Sequence, residues 1–222
     1  MSKELETRSN KQYFQVYAGA FRTKVREDYP GAIKRENKNN VVVYEREVPG
    51  LSGMVENVEI EDSEFGKQIK ITLDENAEGK NPVLSFGVES KNGRDVLRKL
   101  PGVDFSKEVE ISPYRFTPED KEISGISIMQ GETKIENFFF DKEKKEYLHN
   151  FPVIDWDTAT ESQQKIYKIQ RDEFLVNYLQ ENVCPQFADK AFVKKNEVKP
   201  IPKSKEEEDS YPTEDLGGKV PF

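Results

Sequence analysis

Aromatic rings and cations alternate along much of this chain. Near the start, Tyr13, Phe14, Tyr17, Phe21 and Tyr29 interleave with Lys11, Arg22, Lys24, Arg26, Lys34 and Arg35. Further on come Tyr44 with Arg46, Phe65 with Lys67 and Lys70, Phe86 with Lys91 and Arg94, and the consecutive Tyr114, Arg115 and Phe116. Rings offer platforms on which bases stack, each stack being worth about 1–3 kcal/mol, and cations track phosphates, so the combination suits a nucleic-acid single strand. The same rings can build a core instead, and among 14 Phe and 9 Tyr most must do so. Phe86, although a candidate contact, is with Phe105 and Phe138 among the first to be assigned to packing. Phe65 and Tyr114 carry the strongest expectation of base contact, Phe65 because it sits at a turn with no core to fill. Tyr13, Tyr17 and Phe21, spaced by four, suit a helix docked on the body.

Catalytic constellations are thin. His149 is the sole histidine, flanked by Leu148 and Asn150, and gives little support to a zinc site or a Ser-His-Asp arrangement. Cys184, before Pro185, lacks basic neighbours in sequence that would lower its pKa and reads as inert. Asp155, Asp157 and Glu161 could be drawn as the magnesium site of a nuclease, but acids at a helix start are better explained by capping and the helix dipole. There is no GxxxxGK[ST] or GxGxxG pattern. No enzyme activity, cofactor or metal is expected.

The composition frames these residues. The 222 residues are 35% hydrophobic and 34% charged, which describes one globular domain with a modest core plus appendages. The longest apolar runs fall far short of the roughly 20 residues that cross a bilayer, and the N-terminal MSKELETRSNK has no apolar stretch like that of a signal peptide. One cysteine allows no intrachain disulfide, which fits a reducing interior. The expectation is a cytoplasmic protein, in a host cytoplasm if phage-encoded, with no membrane partner. A net charge of −8 argues at first against nucleic acid. Six acids and one lysine lie within residues 206–222, however, so the rest of the chain is near neutral and can carry a basic face.

Four parts are expected to position the rings and cations: a basic, aromatic N-terminal arm (1–40), a strand-rich body (41–150), a helical segment packed on it (151–185) and a tail (186–222). In the body, VVVYERE (41–47) is a β-branched strand. Residues 51–75 form a long hairpin with its turn at 63–66, in whose second arm Ile69, Ile71 and Leu73 alternate with Gln68, Lys70 and Thr72. A strand at 82–90 follows, then a short helix at 93–100 stopped by Pro101 and Gly102, then strands at 107–116, 122–130 and 134–140. From 157 to 183, apolar residues at three- and four-residue spacing mark an amphipathic helix with Asp157 or Thr158 as N-cap. The helix covers its own domain or, as the alternative, pairs with a second copy to make a homo-oligomer.

The order of long hairpin, third strand, short helix and further strands resembles an OB fold, the five-stranded Greek-key barrel, here elaborated with extra strands. The last residues, EEEDSYPTEDLGGKVPF, are acidic, poor in core residues and tipped with Pro221 and Phe222. Such a run is expected to be a disordered interaction tail. Barrel-like body and tail together resemble the single-stranded DNA-binding proteins of bacteria and their phages, whose acidic tails end in Pro-Phe. That resemblance implies a protein that coats single-stranded DNA in replication, recombination and repair. It also implies that the tail, through Glu214, Asp215, Val220, Pro221 and Phe222, recruits a polymerase, helicase, primase or nuclease. The candidate DNA contacts are Arg22, Lys24, Tyr44, Phe65, Lys67, Lys70, Phe86, Arg94, Tyr114, Arg115 and Phe116. The rival expectation is a structural or assembly protein whose β-barrel binds another protein and ignores oligonucleotides.

Overall fold

The computed structural model describes residues 10–36, 40–64 and 66–188. The expectations placed on Phe65, and those placed on Glu214, Asp215, Val220, Pro221 and Phe222, lie outside the described residues. The described protein is mainly β, with a long helix toward its C-terminal side.

The sequence order begins with β1 (Lys11–Tyr17), β2 (Ala20–Val25), β3 (Ile33–Glu36) and β4 (Val42–Val48). It continues with β5 (Leu51–Gly53), β6 (Val55–Ser63), β7 (Gly66–Leu73) and β8 (Asn81–Gly87). All of these except β5 form one seven-stranded sheet in the order β3-β4-β2-β1-β8-β7-β6. Only the β1–β8 pair within it is parallel. The hairpin expected at 51–75 is present, with Ser63 paired to Gly66 at its turn.

The N-terminal segment is therefore not a separate arm, nor does it hold a docked helix. In KQYFQVY, Gln12 and Phe14 are buried and Val16 half-buried, while Lys11, Tyr13, Gln15 and Tyr17 are exposed. That is a period of two, the signature of a strand with one wet face. The four-residue spacing of Tyr13, Tyr17 and Phe21 arises because the chain reverses at 18–19 and Phe21 belongs to the next strand.

The second sheet follows α1 (Lys91–Lys99) and comprises β9 (Val109–Phe116), β10 (Ile123–Gln130) and β11 (Thr133–Lys134), with order β11-β10-β9-β5. One nearly continuous strand thus joins the two sheets: β5 pairs with β9, and β6 begins two residues later and pairs with β7. A closed barrel would need β8 and β10 to pair. Instead β8 takes β1 as its second neighbour. The edge of β10 is held by α1, where Asp95 accepts from the N–H of Ile126 at 2.7 Å and Lys99 donates to the Ile126 carbonyl. With β8 paired to β1 and the Ile126 backbone of β10 taken by α1, the two strands do not pair and the two sheets stay open.

The strand expected at 134–140 is mostly absent. After β11 the chain leaves the sheet, and Phe139 is fully buried against Tyr178 and Phe174, ring centroids 4.9 and 5.5 Å away. Phe138 and Phe139 satisfy helix partners here rather than a sheet face. Phe140 then opens a two-residue strand, β12 (Phe140–Asp141), paired with β13 (Glu146–Tyr147).

The last helix, α2, runs Glu161–Asn182. Its cap is Thr160 rather than Asp157 or Thr158: Thr160 Oγ1 accepts from Gln163 N, and Gln163 Oε1 accepts from Thr160 N at 2.8 Å. That reciprocal pair is a capping box. One core joins Phe14, Phe21, Ile69, Ile71, Leu84 and Phe86 of the large sheet to Val109, Ile111, Ile126 and Ile128 of the small one. Val96 and Leu97 of α1 and Leu175 and Leu179 of α2 complete it. Among the described residues no helix is long and apolar enough to cross a membrane.

Candidate nucleic-acid interface

Both helices contribute to the core, on the inner face of the large sheet, and no described helix lies over the outer face. Strand register decides what that outer face carries. Gln15 is paired with Arg22 and with Ser85, Arg22 with Glu47, Lys24 with Glu45, and Lys70 with Ser85. Paired residues on neighbouring strands point to the same side. The outer face therefore collects Lys11, Tyr13, Gln15 and Tyr17 of β1, Arg22 and Lys24 of β2, Arg35 of β3, and Gln68 and Lys70 of β7. Phe14 and Phe21, their immediate neighbours in sequence, are fully buried.

Tyr13 and Tyr17 are each 50% exposed. The Arg22 guanidinium lies 3.7 Å from the Tyr17 ring centroid, and Lys70 Nζ lies 6.0 Å from that of Tyr13. A groove of about 600 Å³ opens here, lined by Lys11, Tyr13, Tyr17, Arg22, Lys24 and Arg35.

Acids share the face. Arg22 Nε donates to Glu47 at 2.7 Å, and Arg35 donates to Glu45 through Nε at 3.0 Å and Nη2 at 2.7 Å. The Arg35 hydrogen bonds hold the Glu45 carboxyl below the usual range. Lys70 donates to Glu61, which lowers the Glu61 pKa and raises that of Lys70. Lys24 makes no ion pair among the described residues. A phosphate arriving on this face competes with carboxylates for Arg22, Arg35 and Lys70, and less directly for Lys24, which lies opposite Glu45 in register and helps to lower its pKa without a close ion pair.

Of the residues picked from sequence, Arg22, Lys24 and Lys70 are thus brought together. Phe86 is not available: it is 3% exposed and packs edge-on against Phe21, centroids 6.3 Å apart. Tyr44 alternates with Glu45 and so points to the opposite side, where its hydroxyl donates to Glu27 at 2.6 Å and is thereby raised in pKa. Lys67 and Arg94 border a different groove, of about 660 Å³, between the β6–β7 turn and α2. Lys67 is 3.4 Å from Asp62, and Arg94 is 3.3 Å from Asp172. Tyr114, Arg115 and Phe116 form their own cluster on the small sheet. The Tyr114 and Phe116 rings share its outer side, centroids 5.9 Å apart, while Arg115 alternates to the other side and pairs with Glu122 at 2.6 Å.

Sequence reasoning did not single out Tyr13 and Tyr17 as the paired platform. KQYFQVY offered only a weak signal, because polar Gln12 shares the inward positions with Phe14 and Val16. The remaining chemistry-bearing residues have structural roles. Asp155 accepts from the Thr158 hydroxyl at 2.8 Å and from Asp157 N at 3.1 Å, which lowers its pKa and shapes the approach to α2. His149 stacks on Phe138 at 4.3 Å, and burial pushes the Cys184 thiol up. Among the described residues no group of three or more His, Cys, Asp or Glu could hold a metal ion. No family model, no curated protein and no solved structure matches the chain.

Proposed function

We propose that this protein is a non-enzymatic single-stranded DNA-binding protein that lays the strand across the outer face of its large sheet. The observation that carries the reading is the half exposure of Tyr13 and Tyr17 on a face that no described helix covers, each with a cation at its ring. Tyr13 and Tyr17 would stack bases, and Lys24, Arg22 and Lys70 would meet phosphates. The finer fold reading belongs with this proposal. On this reading the strand shared between the two sheets, the hairpin, the third strand, the helix and the final strand pair would be those of an elaborated OB-like body, left open between β8 and β10. The acidic residues 206–222 support the other half of the role, recruitment of a polymerase, helicase, primase or nuclease through Pro221 and Phe222 in the cytoplasm where replication proceeds.

The experiment is a fluorescence-anisotropy titration of labelled oligo-dT at low and moderate salt with duplex DNA as competitor. Tight binding that duplex fails to compete, weakened by salt through counterion release and by Tyr13→Leu or Tyr17→Leu, is the expected result. No binding at low salt, by the full chain or by one lacking residues 206–222, would overturn it. Removing those residues should leave affinity for DNA unchanged or raised while abolishing capture of replication proteins.

The pairing of Glu45, Glu47 and Glu61 with the cations of the same face favours a second reading, an assembly protein whose sheet docks another protein. Indifference to oligonucleotides of every length would put that reading first.

A further inference from the structure

Tyr114 and Phe116 leave a second aromatic surface that the large sheet does not use. Phe116 is 52% exposed. Tyr114 reaches across to Gly125 of β10, its register partner, whose lack of a side chain makes room for it: a Cβ there would come within 2.5 Å of the Tyr114 hydroxyl. The hydroxyl end of this ring is thus seated at Gly125, and the Phe116 ring lies beside it at 5.9 Å, tilted by 32°. An exposed ring with a second ring beside it is the kind of platform on which a base stacks.

This surface is close to the first. The β1–β2 turn presses on β9, and a Cβ on Gly19 would lie 2.9 Å from the Cβ of Arg115. Tyr17 is two residues before Gly19, and Phe116 is next to Arg115. Summing those chain steps puts the Tyr17 and Phe116 backbones within about 17 Å. Arg115, on the opposite side of β9 from these rings, is the residue that the turn touches; its guanidinium is at the surface and paired only with the exposed Glu122 among the described residues.

We propose that Tyr114 and Phe116 form a second base-stacking subsite for the same single strand, entered after Tyr17 past the β1–β2 turn, so that the binding path spans both sheets. The inference rests on the reading of Tyr13 and Tyr17 as the first platform. It predicts that contacts at Phe116 are made only by strands long enough to pass the β1–β2 turn.

The test is a length series of oligo-dT, from about 4 to about 16 nucleotides, titrated against the full chain and its Tyr13→Leu and Phe116→Leu variants. Phe116 is exposed, so its replacement leaves the core intact. Tyr13→Leu should weaken every length. Phe116→Leu should leave the shortest binding oligomers unchanged and weaken the longest about tenfold, with a break between. If Phe116→Leu is silent at all lengths while Tyr13→Leu weakens binding, the second subsite is wrong and the first stands. If Phe116→Leu weakens all lengths equally, it belongs to a single site and the two-part path is wrong. If neither variant changes affinity, the sheet-face reading itself fails.

Discussion

Lys99 Nζ lies 2.9 Å from the carboxylate of Asp95, one turn earlier on α1, and the two side chains together hold both peptide groups of Ile126 on the edge of β10. The Lys99 side chain is only 8% exposed. Asp95→Ala leaves a buried ammonium without its partner and the Ile126 N–H without its acceptor, and should cost about 3 kcal/mol in urea unfolding. Replacing both, as Asp95→Ala with Lys99→Met, should cost less than the single change, because no unpaired charge then remains. A loss below about 1 kcal/mol for Asp95→Ala would show that the clip does not hold the edge.

Glu45 is the carboxylate that engages two guanidiniums of the sheet face, Arg35 closely and Arg22 at 3.8 Å. Glu45→Gln removes the negative charge that phosphates must displace. Affinity for oligo-dT should rise several-fold, and the slope of log affinity against log salt should steepen by about one as an extra phosphate contact forms. Anisotropy titrations at several salt concentrations decide it. An unchanged affinity would place Arg22 and Arg35 off the DNA path.

The Glu61–Lys70 pair gives a pH signature. Glu61 is lowered in the folded state, so its contribution is complete above the ordinary carboxylate pKa and is lost as pH falls through the depressed value. Lys70 is raised, so its contribution is complete below the ordinary lysine pKa and is lost as pH rises through the elevated value. Both are intact across the neutral range. The pair is near the surface, so its net stabilisation is small, about 1 kcal/mol at most. In Lys70→Met the Glu61 titration midpoint, followed by carboxyl NMR shifts, should move up toward the ordinary carboxylate range. A midpoint that stays put would mean that Lys70 is not its partner in solution.

Much of the body was legible because its strands have one wet face. The alternation of Ile69, Ile71 and Leu73 with Gln68, Lys70 and Thr72 placed the hairpin and its core side correctly, and Pro101 and Gly102 marked where α1 ends. The residues 11–25 were misread because aromatic spacing across a turn imitates a helical period, whereas the burial of Phe14 between exposed Tyr13 and Gln15 is visible only once β8 lies alongside. Openness of the sheets was not legible. It depends on a parallel pair joining residues 11–15 to 81–85 and on Asp95 and Lys99 reaching Ile126, contacts between distant segments that leave no local pattern. The sorting of Arg22 and Lys70 from Arg94 and Tyr44 failed for the same reason, since composition near a ring does not say which side of a sheet it faces.

Gly125 couples the edge clip to the second aromatic surface. A Cβ there would lie 2.5 Å from the Tyr114 hydroxyl and 2.7 Å from Asp95 Oδ2, so Gly125→Ala must lift the ring, displace the carboxylate, or both. Overpacking of this kind costs about 1–3 kcal/mol. If the ring bears most of the strain, Gly125→Ala should be milder in a Tyr114→Leu background, with a coupling of about 1 kcal/mol between the two changes. If the Asp95 carboxylate bears it, the coupling should appear instead with Asp95→Ala. Urea unfolding of the three single variants and two double variants separates these outcomes. Full additivity in both cycles would show that neither group lies over Gly125 in solution, and the seat of the Tyr114 ring on β10 would go with it.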